Sequence, residues 1–237
     1  MSPDTSSDLR ETLEPARFQP LPDPRPADEV WPEMTWPVPS GTVLCGDTVE
    51  LRPVDAAADA AALFGALDHD AVWAHIPGRP EVAGQFEDRL RQADAAADWQ
   101  MWTVRTRRPV GDVPASEIVG VTAYLDVRPR DAGMEIGFTV YHPSVWGTAV
   151  NPEAKLLLLE YAFETLGVGR VQLKTDIRNH RSQQAIARLG AKYEGTLRRQ
   201  FRRGDGTVRD SVLFSITAED WPEVHARLIQ RLTPHAG

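Results

Sequence analysis

The stretch Glu135-Ile-Gly-Phe-Thr-Val-Tyr-His-Pro-Ser-Val-Trp-Gly-Thr-Ala-Val-Asn-Pro-Glu-Ala154 changes character half-way along. Met134 to Tyr141 reads as a strand, rich in β-branched and aromatic side chains. Asn151 as cap and Pro152 at the first helical position then start a long helix to about Leu166, with Leu156, Leu159, Phe163 and Leu166 on one stripe. A strand that enters a helix through a short turn leaves unpaired backbone N–H groups and the positive end of the helix dipole at one spot. Anions bind there for physical reasons. Alone, the junction says little: any such connection presents these amides, and Gly147 can be no more than a turn glycine.

Downstream, Val171 to Thr175 reads as a strand, and a helix from about Arg181 to Leu189 ends at Gly190. Two further strands meet around Asp205-Gly206, a strong turn dipeptide, and Ala218 to Leu232 is helical. Upstream, Gln100 to Arg105 and Ile118 to Asp126 are strand-like runs; with Met134 to Tyr141 they form an antiparallel meander separated by turn signals. A helix opens at Pro80-Glu81 and runs through Phe86 and Leu90 towards Ala97. Before it, Val49 to Pro53 is a short strand and Asp55 caps an Ala-rich helix to about Leu67. Strands next to one another in sequence, followed by two strand–helix crossings, predict one α/β domain with a mixed, largely antiparallel central sheet flanked by helices.

Residues 1–40 hold nine of the 19 prolines, with 8 Asp+Glu against 3 Lys+Arg. That composition loses backbone donors and buries too little to order itself, which predicts an acidic, Pro-rich, poorly ordered tail before a single domain over 41–237. Trp31 and Trp36 are expected to pin its end to the domain. Residues 170–209 carry 11 Lys+Arg and 3 Asp+Glu, a stretch that can face an anion or simply line a solvated surface. Arg198, Arg199, Arg202, Arg203 and Arg209 belong to it, but the net charge of −8 opposes nucleic-acid binding.

No apolar run approaches the about 18 residues of a membrane span, and Met1-Ser2-Pro3-Asp4 lacks the opening of a signal peptide. With one cysteine, Cys45, the reading is a cytoplasmic protein without a disulfide. His69, His75, His142, His180, His225 and His235 show no metal-ligand spacing, and no metal site is expected. Oligomeric state is open, a homodimer included.

The run Trp146-Gly147-Thr148-Ala149-Val150-Asn151-Pro152-Glu153-Ala154 resembles the phosphate-binding turn and helix of the GNAT superfamily, in particular its RimJ/RimL-like branch. Tyr161 to Val171 and Thr175-Asp176-Ile-Arg-Asn179-His-Arg-Ser182 look like the helix, strand and helix start that follow there. Gly190-Ala191, Glu194-Gly195, Asp210 and Trp221-Pro222 come in the same order. The superfamily turn usually reads Gln or Arg, two residues, Gly, one residue, then Gly or Ala, and this chain places Trp146, Ala149 and Asn151 at those positions.

The resemblance implies the GNAT fold and acetyl-CoA as co-substrate, with the acetyl group passing to a primary amine, on a protein N-terminus or a small molecule, by direct attack. It implies that Trp146, Gly147, Thr148, Ala149, Val150 and Asn151 hold the pyrophosphate, chiefly through backbone amides. The strand backbone at Thr139, Val140 and Tyr141 would pair with the pantetheine amides, and Asn179 would hold the same arm. Ser182 would lie near the thioester sulfur, where a hydroxyl can protonate the leaving thiolate, and is equally readable as a helix-start hydroxyl satisfying backbone donors. Many relatives carry a tyrosine where this chain has Ile186. Glu135 is the first candidate base, with Asp210 and Glu194 behind it and Phe201 where some relatives place a carboxylate; a solvated strand-end carboxylate is the alternative for Glu135. A second functional reading is a non-catalytic CoA-binding or partner-binding protein on the same scaffold.

Overall fold

The computed structural model describes residues 19–23 and 30–233, and the chain divides into two units, Met1–Val30 and Trp31–Gly237. The expected tail therefore lies mostly outside the described residues. Its last ten residues belong to the second unit, where Met34 and Trp36 pack on the core and Trp36 Nε1 donates to the Ala97 carbonyl at 2.8 Å. Trp31 is exposed. Among the described residues, no helix is long and apolar enough to cross a membrane.

The second unit is one eight-stranded sheet with helices on both faces. In chain order its strands are β1 (Leu44–Cys45), β2 (Val49–Pro53), β3 (Gln100–Thr106), β4 (Ile118–Arg128), β5 (Gly133–Tyr141), β6 (Arg170–Asp176), β7 (Lys192–Arg202) and β8 (Val208–Thr217). They stand in the order β1-β2-β3-β4-β5-β6-β8-β7. Only β5 and β6 pair in parallel, so the sheet is mixed and largely antiparallel, as the sequence predicts.

The helices are α1 (Ala56–Leu67), α2 (Asp70–Trp73), α3 (Ala83–Asp94), α4 (Val150–Glu160), α5 (His180–Ala187) and α6 (Trp221–Leu232). The cap of α1 is the expected one: Asp55 accepts from the amides of Ala57 and Ala58. The short α2 has no sequence signal. The third helix starts later than Pro80-Glu81 suggests, because Glu81 N–H is taken by Gln85 Oε1 and Val82 stays extended.

Two apolar layers hold the helices to the sheet. Trp102, Tyr124, Ile136 and Leu173 face α4 and α6 with Leu158, Leu159, Val224 and Leu228, while Met101, Val121, Ala123 and Val140 face α1 and α3 with Leu63, Phe86 and Leu90. Each fully buried leucine contributes about 1.5–3 kcal/mol relative to exposure. The Tyr124 hydroxyl, at the centre of the first layer, donates to the Leu158 carbonyl at 2.6 Å.

Two features of α4 correct the sequence reading. The helix begins at Val150, not after Asn151, because the Thr148 hydroxyl already accepts the Val150 N–H at 3.3 Å. It also does not continue regularly to Leu166: Tyr161–Thr165 forms a π-turn closed by Leu166 N–H to the Tyr161 carbonyl at 3.0 Å. The wider turn keeps Leu166 buried, while Glu153, in the first turn, accepts the amides of Asp47, Thr48 and Val49 and ties α4 to the β1–β2 turn.

Candidate active site

Strands β5 and β6 pair only over Gly133–Glu135 with Arg170–Gln172, and then separate. Beyond that seam, β5 continues to Tyr141 paired on its other side with β4, and β6 continues to Asp176 paired with β8. Strand backbone between them therefore faces a fork rather than a neighbour. A β-bulge lies at this level: Val121 opposes Val140 and Ala123 opposes Gly137, so Phe138 and Thr139 together face Thr122. Phe138 has φ 44°, a left-handed conformation that a bulky residue adopts only when its surroundings enforce it.

Because β5 and β6 run parallel, the helices that follow them both start at the same end of the fork. At the start of α4, Val150 N–H is taken by Thr148, Pro152 has no N–H, and Glu153 N–H goes to the Ala149 carbonyl. The amides of Gly147, Ala149 and Asn151 donate to no acceptor among the described residues. Gly147 has φ 77°, and a Cβ there would meet nothing within 4 Å, so the turn is open on its outer side. This donor set suits an oxyanion group such as a pyrophosphate.

At the start of α5, Asn179 is the cap: its Oδ1 accepts Ser182 N–H at 3.0 Å, which leaves its amide Nδ2 group to donate elsewhere. The Ser182 hydroxyl makes no hydrogen bond among the described residues, so the backbone-satisfying role open to it in the sequence is performed by Asn179. The two helix starts are bridged directly. Arg181 lies 3.4 Å over the Trp146 ring, and Trp146 Nε1 donates to the Tyr141 carbonyl at 3.0 Å. Val140 and Tyr141 turn buried side chains into the two layers; the Val140 carbonyl points towards Gly120 of β4, and the Tyr141 carbonyl is taken by Trp146.

Glu135 stands at the base of the fork and is not the solvated strand-end carboxylate that the sequence leaves open. It is 3% exposed, paired with Lys174 Nζ at 2.7 Å, and accepts from Gln172 Nε2 at 3.2 Å. Burial raises its pKa and Lys174 opposes the rise. The other candidates stand differently. Asp210 accepts the Arg199 N–H at 2.7 Å, Glu194 is bound to Arg170 and the Ser215 hydroxyl, and Phe201 carries Lys174 and Arg209 over its ring at 5.4 and 5.2 Å.

One residue next to the fork escaped the sequence reading altogether. Lys155 of α4 is buried and donates to Thr139 Oγ1 at 2.6 Å and to Thr122 Oγ1 at 3.3 Å, and burial lowers its pKa to about 7. Nothing in the helical stripe marks a lysine as an inward position. Far from the fork, Glu160, Glu164 and His225 bring ligand-type atoms within 4.8 Å of one another; Glu164 is also bonded to Trp221 Nε1, which makes the cluster part of the α4–α6 contact.

Residues 48–192, more than half of the chain, match the family model described as an acetyltransferase (GNAT) domain. A curated relative, the uncharacterized N-acetyltransferase p20 of Bacillus licheniformis, is 25% identical over 105 residues, a span covering 44% of this chain and 58% of that protein. Among solved structures, a GCN5-related N-acetyltransferase from Brucella melitensis is 25% identical with a TM-score of 0.77, over 86% of this chain and 90% of that one. RimJ of Mycobacterium smegmatis, solved in complex with CoA-disulfide, is 23% identical with a TM-score of 0.67, over 85% and 97%, a likeness of fold. A split sheet with open helix starts on both sides of the split, on a chain matched over these residues, leads to one assignment: the chain belongs to the GNAT acetyltransferase family, with residues 48–192 as its acetyltransferase domain.

Proposed function

We propose that the protein transfers the acetyl group of acetyl-CoA to a primary amine by direct attack, in the manner of the RimJ/RimL-like branch, with a protein N-terminus or a small-molecule amine as acceptor. The observation that carries this reading is the trio of undirected amides at Gly147, Ala149 and Asn151, set beside the unpaired edge of β5. The pyrophosphate would sit on the trio, and the pantetheine amides would pair with the backbone of Thr139, Val140 and Tyr141 as an added strand. Asn179 Nδ2 would donate to the same arm.

In the transfer, the amine nitrogen bonds to the acetyl carbonyl carbon as the carbon–sulfur bond breaks. Ser182, with its unengaged hydroxyl, would give a proton to the departing thiolate, and Glu135 would accept the amine's proton through water. The rise in the Glu135 pKa on burial favours the second role, because a base nearer neutrality holds a proton better during transfer. A rival reading, binding without turnover, draws on the engagement of that carboxylate by Lys174 and Gln172 and on Ile186 in place of the tyrosine.

Titration calorimetry with CoA and thiol-release assays with acetyl-CoA and a panel of amines separate the two. Binding with turnover of some amine is expected. Asn179→Ala should weaken CoA binding about fivefold, the loss of one hydrogen bond worth about 1 kcal/mol. Tight CoA binding with no thiol release across the panel would establish the rival, and unchanged CoA affinity in Asn179→Ala would remove that residue from the site.

A further inference from the structure

Two guanidinium groups on the α1–α3 face of the sheet lack a carboxylate. Arg89 of α3 lies 4.6 Å over the Phe138 ring and 5.8 Å from the Trp73 ring, and donates only to the carbonyls of Gly78 and Pro77. Arg209 of β8 lies over Phe201 and donates Nε–H to Ser211 Oγ at 3.1 Å. Neither has an ion pair among the described residues. Nearby cations behave otherwise: Asp176 holds Arg203 at 2.6 and 2.8 Å, Asp59 holds Arg105 at 2.7 Å, and Glu135 holds Lys174. Burial lowers the pKa of both unpaired arginines, and the anions felt by Arg209, Asp176 and Glu135, are already engaged. A partly desolvated charge with no counter-ion is unfavourable unless a ligand supplies one.

The two groups approach one another through the segment after α2: Arg89 donates to the Pro77 carbonyl, and Arg209 acts electrostatically on His75, two residues earlier. Phe138 belongs to the bulge three residues beyond Glu135. Asp176 pairs with Ser211 and Lys174 with Leu213, so Arg209, two residues before Ser211, rises on the face that carries Glu135 and Lys174. The α2–α3 loop meets the β7–β8 turn: a Cβ on Gly204 would stand 3.8 Å from Pro77 Cα. An open hollow of about 530 Å³ lies beside Arg89 on the α2–α3 loop and α3, bordered also by Gly78, Gln85 and Asp88. The CoA phosphates are assigned elsewhere, to the start of α4, where Arg181 is the adjacent cation.

We propose that the acceptor amine carries an oxyanion, a carboxylate or a phosphate, a few atoms from its nitrogen, and that Arg89 and Arg209 bind it. This rests on the transfer reading above and narrows its acceptor. Trp73 and Phe138 align the Arg89 fork while Phe201 supports Arg209, and the carbonyls of Pro77 and Gly78 both engage Nη1 of Arg89, leaving Nη2 and Nε without an acceptor among the described residues.

The test compares matched acceptors by thiol release: glutamate with its dimethyl ester, and O-phosphoethanolamine with ethanolamine. The anionic member of at least one pair should show kcat/KM at least about 10-fold above its neutral partner, through KM. Arg89→Gln and Arg209→Gln should each shrink that ratio while CoA affinity holds. Equal rates within both pairs, or variants that depress anionic and neutral acceptors alike, would overturn the proposal. Failure of every amine would strike the transfer reading instead. The anion site is then judged by calorimetry of glutarate and inorganic phosphate on the CoA-loaded protein: saturable binding lost in the Arg89→Gln/Arg209→Gln double variant sustains it, and no binding to the wild type ends it.

Discussion

Lys155 places an ammonium group inside the layer between α4 and the sheet, where its partners are two threonine hydroxyls and, among the described residues, no carboxylate. Burial brings its pKa from 10.5 to about 7. In the unfolded chain the amine keeps its ordinary pKa, so between about pH 7 and 10.5 the unfolded state binds more protons than the folded one. The folded state is thus penalised in full below pH 7, and the penalty fades as pH rises to 10.5. This group alone gives a slope of up to about 1.4 kcal/mol per pH unit in that window. Urea denaturation of wild type and Lys155→Met at several pH values should show the variant more stable near pH 7 and the two converging at high pH; parallel curves would refute the assignment. The residue was not legible in the sequence, since a lysine near the start of an amphipathic helix ordinarily reads as a solvent-facing position. Asn179 was legible only through the family resemblance, as a residue that would hold the pantetheine arm, and not as the helix cap, a role the sequence left open to Ser182. Glu135 was legible as a position but not in its surroundings: its partners Gln172 and Lys174 come from a strand more than thirty residues away.

At the level of elements, the start of α4 depends on one residue's backbone. Gly147 holds φ 77° with open space where a side chain would point, so strain rather than collision is the cost of replacing it. Gly147→Val should lower stability by about 1–2 kcal/mol and weaken CoA binding by more than that loss explains, because the Gly147 and Ala149 amides turn with the peptide. Calorimetry beside thermal melts would decide, and an unaltered CoA affinity would remove the turn from the cofactor site. The strand-to-helix passage itself was plain in the sequence from Tyr141 to Pro152. Its first helical residue was not, because the Thr148 hydroxyl does what Asn151 was expected to do. The bulge at Phe138 and the π-turn at Tyr161–Thr165 are invisible for a related reason: each adds a residue to a regular element without altering its apolar pattern.

Across the whole second unit, the meander and the two crossings follow from turn residues and periodicity, and so does the mixed sheet. The place of β8 between β6 and β7 does not, because a hairpin fixes which strands pair but not which one faces inward. Long-range polar links are equally hidden. Glu153 accepts amides from Asp47, Thr48 and Val49 across more than a hundred residues of sequence, and joins the first strands to the helix at the fork. Glu153→Ala would leave buried donors without partners and should cost about 3 kcal/mol, seen as a Tm lowered by roughly 6–12 °C. A melt within a degree of wild type would mean the turn finds other acceptors.

The three-pair seam between β5 and β6 has a mechanical meaning as well. One leaf of the sheet leads into α4 and the other into α5, and beyond Gln172 no ladder hydrogen bonds tie their spacing. The leaves diverge from Glu135 like the arms of a caliper, with Trp146 and Arg181 touching at the tips. The width of the gap is therefore set at its two ends, by three ladder pairs on one side and by a single cation–ring contact on the other, and by no hydrogen-bonded ladder in between.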